Sequence, residues 1–180
     1  AMKPLTLVAH HGLQLAGDGD VVDWLVMMRR LPDELMLDSA LRRGGPERRD
    51  LDRIAIRLVR FYGALAPEPI TPEVRRIWLE EEIRLSRREL ARPAFARDKA
   101  LVDRVAARLI DFLRARPEVL IERHRGGKIV EGHGDLRPEH ICLAREPVII
   151  DCLEFSLALR LVDPADELAF LALECAMQGE

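Results

Sequence analysis

The sequence predicts an α+β fold in which helices dominate and the sheets are small. Apolar residues alternate with polar ones in short runs before Pro32 and follow helical spacing after it, until two short β-branched or apolar runs appear in the last third. With 180 residues and 48% hydrophobic side chains, the chain is expected to form one domain, or one domain and part of another. It is divided here into an N-terminal β-hairpin region, residues 1–31, and a mainly helical region with a small second hairpin, residues 32–180.

The first predicted element is a β-hairpin. Residues 5–10 and 21–28 are the two apolar strands, and the Gly-Asp-Gly-Asp run at 17–20 is typical of the turn between them. The Met27 and Met28 side chains are expected to pack in the core, because methionine fills irregular gaps there.

Five helices are predicted after Pro32 from apolar spacing and from capping residues. Thr71 followed by Pro72 is a good helix start, and Asp163 followed by Pro164 is another. The predicted spans are 33–43, 48–65 (with its start at Arg48 or Asp50), 72–90, 98–114 and 163–177.

Two of these helices carry further predictions. The helix at 98–114 is the most clearly amphipathic, with Leu101, Val105, Leu109 and Phe112 on one face. The helix at 72–90 is rich in arginine, which we interpret as a solvated face interspersed with glutamates at 80–82. A basic cleft for an anionic substrate is the alternative interpretation.

The chemistry of the chain is expected in residues 131–155, EGHGDLRPEHICLAREPVIIDCLEF. Gly134 and Asp135 are typical turn residues, 141–143 and 148–150 predict two short strands, and Asp151 ends the second strand. A hairpin of this kind brings Asp135 and Asp151 toward one point, with His140 between them in sequence.

That spacing favours phosphoryl transfer. A kinase uses one carboxylate to accept the proton of the substrate hydroxyl, and a second carboxylate with a neutral ligand to hold Mg²⁺ against the phosphates. In kinase catalytic loops the first Asp is followed five positions later by Asn, and the metal-binding Asp comes at the end of a later strand. Here Asp135 is followed five positions later by His140, and then by Asp151.

The segments HGDLRPEHI, VIIDCLEF and LVDPADELAFL together resemble the aminoglycoside phosphotransferase and choline kinase group of protein-kinase-like enzymes. The resemblance implies a protein-kinase-like large lobe, with ATP and Mg²⁺ as cofactors. It implies Asp135 as the catalytic base, His140 and Asp151 as metal ligands, and Glu167 where the family has an Asp that supports the catalytic loop. Arg137 stands where the family usually has His.

The resemblance extends to the segment VVDWLVMMRRLP, which is similar to the hinge between the two lobes of the same group. It implies that backbone groups of Val26, Met27 and Met28 meet the adenine of the nucleotide. The glycine-rich loop and the strand lysine of a kinase do not occur in this sequence. The chain is therefore expected to be a fragment of a longer protein or a naturally reduced form.

His140 in place of Asn changes the expected metal preference. Magnesium prefers an oxygen ligand, whereas imidazole suits manganese and other transition ions better. We therefore expect Mn²⁺ to be favoured over Mg²⁺ more than in an Asn-bearing relative, and metal binding to weaken when the ring is protonated. In the alternative, His140 only hydrogen-bonds the Asp135 loop and never contacts a metal.

Two other functions stay open at this point. His133, Asp135, His140 and Asp151 could hold a transition metal and activate water, as in a metal-dependent hydrolase. The chain could also be a non-catalytic, pseudokinase-like binding module, because the lysine and glycine loop are missing.

Composition excludes several partners. The net charge of −3 predicts no nucleic-acid binding, and no apolar run is long enough for a membrane span. Three cysteines without regular spacing favour a reducing, cytoplasmic location. The expected ligands are a nucleotide and a small-molecule substrate.

Overall fold

The computed structural model describes residues 1–8, 12–95 and 98–178. The fold is mixed α+β, mainly helical with small antiparallel sheets, as predicted. Among the described residues, no helix combines the length and apolar character needed to cross a bilayer.

The N-terminal region is a three-stranded antiparallel sheet rather than a two-stranded hairpin. Its strands are β1 (Met2–Val8), β2 (Gly12–Leu15) and β3 (Asp20–Val26), in the order β2-β1-β3. The predicted pairing of the first and last strands is present, but the four residues of β2 also pair with the other edge of β1. So short a run was not recognised as a strand. The end of the predicted first strand, 9–10, lies outside the described residues.

Four of the five predicted helices are present with nearly the predicted spans, whereas the helices at 117–125 and 157–160 were not predicted. Thr71 caps its helix by accepting a 3.3 Å hydrogen bond from the Val74 N–H, and Asp98 caps the next by accepting from Ala100 and Leu101. The α-helices are α1 (Leu37–Arg42), α2 (Arg48–Gly63), α3 (Pro72–Leu90), α4 (Lys99–Ala115), α5 (Pro117–Arg125), α6 (Leu157–Arg160) and α7 (Pro164–Gln178).

One predicted helix is interrupted. The span 33–43 consists of a 3-10 turn at Asp33–Leu35 followed by α1, because Met36 has extended backbone angles and forms a β-bridge with Cys142. The bridge joins the start of the helical region to the predicted catalytic hairpin, which apolar spacing alone does not reveal.

Two pairs of short strands hold the C-terminal third together. β4 (Val130–Glu131) pairs with β7 (Leu161–Val162), and β5 (Ile141–Cys142) pairs with β6 (Val148–Ile149), both antiparallel. The predicted second hairpin is thus confirmed. Its Ile141 belongs to the main apolar core, which also includes Leu37, Ile54, Leu58, Leu136 and Leu171.

The arginine-rich helix α3 is not a simple solvated face. Glu80 is 3% exposed and binds three guanidinium groups, of Arg76, Arg84 and Arg114, at 2.5 to 3.0 Å. The hydrogen bonds from Arg114 are the largest cause that lowers the pKa of Glu80, to about 2, despite the opposing effect of burial. Arg75 is also buried, and it pairs with Asp166 of α7 at 3.0 Å. The prediction of a solvated face is therefore wrong for Glu80 and Arg75, because these two charges pair across helices.

The apolar face of α4 is less covered than its periodicity suggests. Leu101, Val105, Leu109 and Phe112 are each about half exposed, whereas Ala106 is buried. Helix α3 packs against α4, and this packing leaves the four apolar side chains about half exposed.

Candidate functional site

The catalytic-loop candidate, residues 132–140, lies directly on the apolar core. Leu136 is 1% exposed and belongs to the apolar core, which holds the loop in place. Pro138 begins a 3-10 turn that ends at His140. Gly134 has a φ of 83°, which is the left-handed region that glycine adopts without strain. The loop is therefore held at both ends by buried residues, and Asp135 lies between them.

His133 is a structural residue of this loop. Its side chain is buried, its Nε2 lies 2.8 Å from the carbonyl oxygen of Ile150, and its Nδ1 accepts a 3.3 Å hydrogen bond from the Asp135 N–H. A carbonyl can only accept, so Nε2 carries the proton and Nδ1 uses its lone pair on the backbone. His133 therefore has no lone pair left for a metal ion.

Asp135 presents a carboxylate without a fixed partner. Its side chain is 33% exposed, and within the described residues its carboxylate accepts no hydrogen bond. The nearest cationic or ring nitrogen is Nδ1 of His140, at 3.8 Å. A partly exposed and unpaired carboxylate can accept a proton from a ligand hydroxyl, which is what the predicted base must do.

His140 uses one ring nitrogen on the loop and keeps the other free. Its Nδ1 lies 2.8 Å from the backbone carbonyl oxygen of Asp135, so Nδ1 is the protonated nitrogen of the neutral ring. Nε2 then carries the lone pair, and it lies 3.4 Å from Oδ2 of Asp151. Metal-binding histidines commonly donate their second ring N–H to a carbonyl in this way, because the bond fixes both tautomer and orientation.

Asp151 has an unusual backbone conformation. Its φ is 63°, in the left-handed region, and its side chain is 76% exposed. The preceding residue, Ile150, donates its N–H to the carbonyl of His140, which ties the end of the β5–β6 hairpin to the loop. Strained residues of this type cluster at functional sites, and this one aims its carboxylate at the His140 ring.

The His140–Asp151 pair is a fitting two-ligand site for a cation. A neutral imidazole lone pair and a carboxylate oxygen repel each other unless a proton or a metal ion lies between them. Two cis ligands of an octahedral ion with bonds of ~2.1 Å are roughly 3 Å apart, which is close to the 3.4 Å seen here. In the described part of the chain, no group of three or more His, Cys, Asp or Glu is arranged to hold a metal. The remaining ligands of an ion here must come from elsewhere.

Glu167 holds the loop from helix α7. It is 6% exposed, and its Oε1 accepts a hydrogen bond from the Gly134 N–H. Its Oε2 accepts a 2.5 Å hydrogen bond from the hydroxyl of Tyr62, on helix α2. Burial, together with this bond to a carboxylate, raises the pKa of the Tyr62 phenol. Glu167 therefore contacts the backbone beside Asp135, and it is also one of the residues that line the cavity bordered by Asp135.

Arg160 is a second support that the sequence analysis missed. Its guanidinium binds the Glu131 carboxylate at 2.6 and 3.0 Å and also donates to the backbone carbonyls of Leu153 and Glu154. It thus joins the strand before the loop to the segment after Asp151. Nothing in its sequence context distinguishes it from the other arginines of the chain.

Arg137 makes local ion pairs rather than contacts with the open site. Its guanidinium lies 2.9 Å from Glu139 of the same loop and 3.3 Å from Glu174 of α7. This position therefore ties the loop to α7 as well.

Two cavities flank the loop. One of about 320 Å³ is bordered by Asp135, with Arg75, Asp166 and Phe170 on its walls. The other, of about 440 Å³, lies between helix α2 and the segment that carries Asp151. Both volumes are in the range of small-molecule sites.

The predicted adenine contacts, Val26, Met27 and Met28, lie far from this loop in the sequence, and their side chains are largely exposed. The side chains of Met27 and Met28 are 52% and 73% exposed, so the expectation that they pack in the core is wrong. Val26, at the end of β3, is 64% exposed. The Met27 N–H and carbonyl both bond Ala1 at 2.7 Å, so these two backbone groups already have partners.

Comparison with known proteins gives relatives without an established activity. The chain is 33% identical over 162 residues to an uncharacterized protein of Mycobacterium tuberculosis and to one of Mycobacterium bovis. Each alignment covers 86% of this chain and 32% of the relative, so the chain spans about a third of the length of these curated proteins. No protein-family model matches the chain, and no solved structure matches it.

Proposed function

We propose that this chain carries the catalytic and metal-binding loop of an ATP- and metal-dependent phosphotransferase that acts on a small-molecule hydroxyl. The observation that supports it most is the meeting of three groups: the free Nε2 of His140, the Asp151 carboxylate 3.4 Å away, and the unpaired Asp135 carboxylate beside the same ring. A phosphotransferase of the protein-kinase-like type needs a base carboxylate, then a neutral metal ligand, then a metal-binding carboxylate, and here His140 stands in place of Asn as the neutral ligand.

Asp135 is the proposed base. Its carboxylate accepts the proton of the acceptor hydroxyl as that oxygen bonds to the terminal phosphorus of ATP, while the bond from this phosphorus to the bridging oxygen breaks and ADP leaves. Asp135 also borders a cavity large enough for a small molecule. Because Asp135 is fixed by the backbone on either side, its carboxylate can be held in line with a bound hydroxyl.

His140 and Asp151 are the proposed metal ligands. When bound, Mg²⁺ or Mn²⁺ supplies neutralisation of the phosphate charge. Two protein ligands suit such an ion, since magnesium at phosphate sites takes one or two protein ligands and completes its shell with phosphate oxygens and water. The absence of a cluster of three protein ligands among the described residues is therefore compatible with this proposal.

The protein-kinase-like large lobe also belongs to this proposal. Its support is the order of features: a loop on a buried core, a strand end with Asp151, and an acidic helix start at Asp163 whose Glu167 holds the loop. A role of Val26 and Met28 in adenine binding stays part of the proposal. Met27 can take part only if Ala1 is displaced from its backbone.

The hydrolase alternative is weakened by His133. A hydrolase centre of two histidines and two aspartates requires a lone pair from that ring, and both ring nitrogens already bond the backbone. A metal analysis of the purified protein is a direct check: stoichiometric zinc or iron in the absence of nucleotide would favour the hydrolase over the phosphotransferase.

The test is ATP turnover with and without Asp135. Because the acceptor is not known, the first assay is ATP hydrolysis with water as acceptor, in Mn²⁺ or Mg²⁺, followed by a panel of small hydroxyl compounds. Asp135→Asn should abolish turnover while ATP binding remains measurable by calorimetry. Glu139→Gln, four residues away in the same loop, is the matched control and should keep turnover. ATP binding without any turnover in the unaltered protein would instead support the non-catalytic module.

A further inference from the structure

We infer that Tyr62 is a positioning residue of this site, which acts on Asp135 through Glu167 and Gly134; the inference rests on the proposed function for its catalytic consequence. The path consists of two hydrogen bonds that converge on one buried carboxylate. Tyr62 donates to Oε2 at 2.5 Å, and the Gly134 N–H donates to Oε1. Gly134 is bonded covalently to Asp135. Tyr62 of α2 is therefore connected to the proposed base through two residues, Glu167 and Gly134.

The environment of Glu167 makes the phenol necessary to its orientation. The carboxylate is almost fully buried and lies within 4 Å of no Arg, Lys or His in the described residues, so its only donors there are the phenol and the Gly134 N–H. A buried acceptor that loses its donor is destabilised, and the side chain turns to find another. Such a turn moves Oε1 away from Gly134.

Close packing restricts one side of Oε2. A Cβ atom added to Gly132 would lie 2.8 Å from Oε2 and 2.5 Å from a methyl of Val162, so backbone and side chains close this side of the carboxylate. The Tyr62 ring, for its part, packs against the apolar core that carries Leu136 of the loop. Among the described residues the phenol is the one group that donates to Oε2, and its own ring packs against the core.

The Tyr62→Phe variant isolates this role because it removes only the hydroxyl and keeps the ring in the core. In ¹⁵N-labelled protein, the Gly134 amide should lose the downfield shift of a carboxylate-bonded N–H, and its hydrogen exchange should accelerate by about tenfold or more relative to helix α4. The matched control is Thr71→Val, which removes the cap bond to Val74 on α3 and should leave the Gly134 amide unchanged.

The catalytic readout is the division between kcat and KM. A displaced Asp135 should lower kcat by roughly 10- to 100-fold, since small misplacements of a reacting group have effects of that size, while KM for ATP stays within about twofold. The inference is overturned if the Gly134 amide is unaffected in Tyr62→Phe, or if the unaltered protein turns over ATP and the variant does so with unchanged kcat. If the unaltered protein has no turnover but the Gly134 amide responds, the positioning role stands and the proposed function fails.

Discussion

Replacement of Glu167 by Ala should destabilise the protein far more than a change of charge on the same helix. The Glu167 carboxylate accepts from the Gly134 N–H and from the Tyr62 hydroxyl, and it is 6% exposed. Each partly buried donor left without a partner costs about 1–3 kcal/mol. Two such donors therefore predict a loss of roughly 2–6 kcal/mol in the free energy of unfolding, a large share of the ~5–15 kcal/mol typical of a domain.

The measurement is equilibrium unfolding in urea, followed by the fluorescence of Trp78 and Trp24. The control is Glu174→Ala, two turns further along the same helix, which removes a 3.3 Å ion pair with Arg137. The Arg137 and Glu174 side chains are 37% and 18% exposed, and ion pairs near the surface contribute at most about 1 kcal/mol. If Glu167→Ala is no more destabilising than Glu174→Ala, the buried carboxylate does not hold the loop, and both the loop assignment and the role of Tyr62 lose their basis.

Three further outcomes are expected. Gly132→Ala should cost about 1–3 kcal/mol in urea unfolding, because its Cβ would lie 2.8 Å from an oxygen of Glu167 and overpacking has costs of that size. The guanidinium of Arg114 lowers the pKa of Glu80 to about 2, so the stability that this pairing contributes should be present above pH 4.5 and lost as pH falls toward 2; Glu80→Gln should remove this part of the acid-unfolding profile. Burial raises the pKa of Tyr62 above its ordinary 10.0. The ultraviolet absorbance of this single tyrosine should therefore show ionisation at a higher pH in folded than in unfolded protein, and the free energy of unfolding should fall as pH rises beyond 10.0.

The central loop was predictable because its parts are close together in the sequence. Asp135, His140 and Asp151 fall within 131–155, and a short hairpin between them leaves few ways to separate them. The order of residue types then carries the proposal that Asp135 accepts a proton and that His140 and Asp151 hold a cation. The structure adds the tautomer of His140, which spacing cannot indicate because it depends on the carbonyl that Nδ1 meets.

The supports of the loop were not predictable in the same way. Tyr62 is 105 residues from Glu167 in the chain, and Arg75 is 91 residues from Asp166. Both pairs arise from helix packing, and neither side chain differs in its local pattern from others nearby. For the same reason the sequence predicts an exposed Glu80, whereas Arg114 of α4, 34 residues later in the chain, binds its carboxylate.

The exposure of Met27 and Met28, which follow the N-terminal sheet, could not be predicted from hydrophobicity alone. Apolar runs predicted that Met27 and Met28 are buried, but hydrophobicity states only that a side chain can be buried, and here nothing in the described residues covers them. The Gly and Asp residues at 17–20 do include a bend, at 18–19, but β3 begins at Asp20. The bend joins β2 to β3, which lie on opposite edges of β1, so the prediction of a hairpin turn between two paired strands is wrong here.

The most direct test of the proposed metal site at His140 and Asp151 is the coordination of Mn²⁺ in the presence of ATP. Electron paramagnetic resonance with echo-detected modulation reports a ¹⁴N nucleus bonded to the ion, and His140 is the only imidazole with a free nitrogen next to the Asp151 carboxylate within the described residues. We expect Mn²⁺ to bind tightly only together with ATP, and the complex to show ¹⁴N coupling. His140→Asn should remove the coupling and shift the metal preference toward Mg²⁺. Nucleotide-dependent Mn²⁺ without ¹⁴N coupling, or with coupling that persists in His140→Asn, would contradict the assignment of His140 and Asp151 as the metal site.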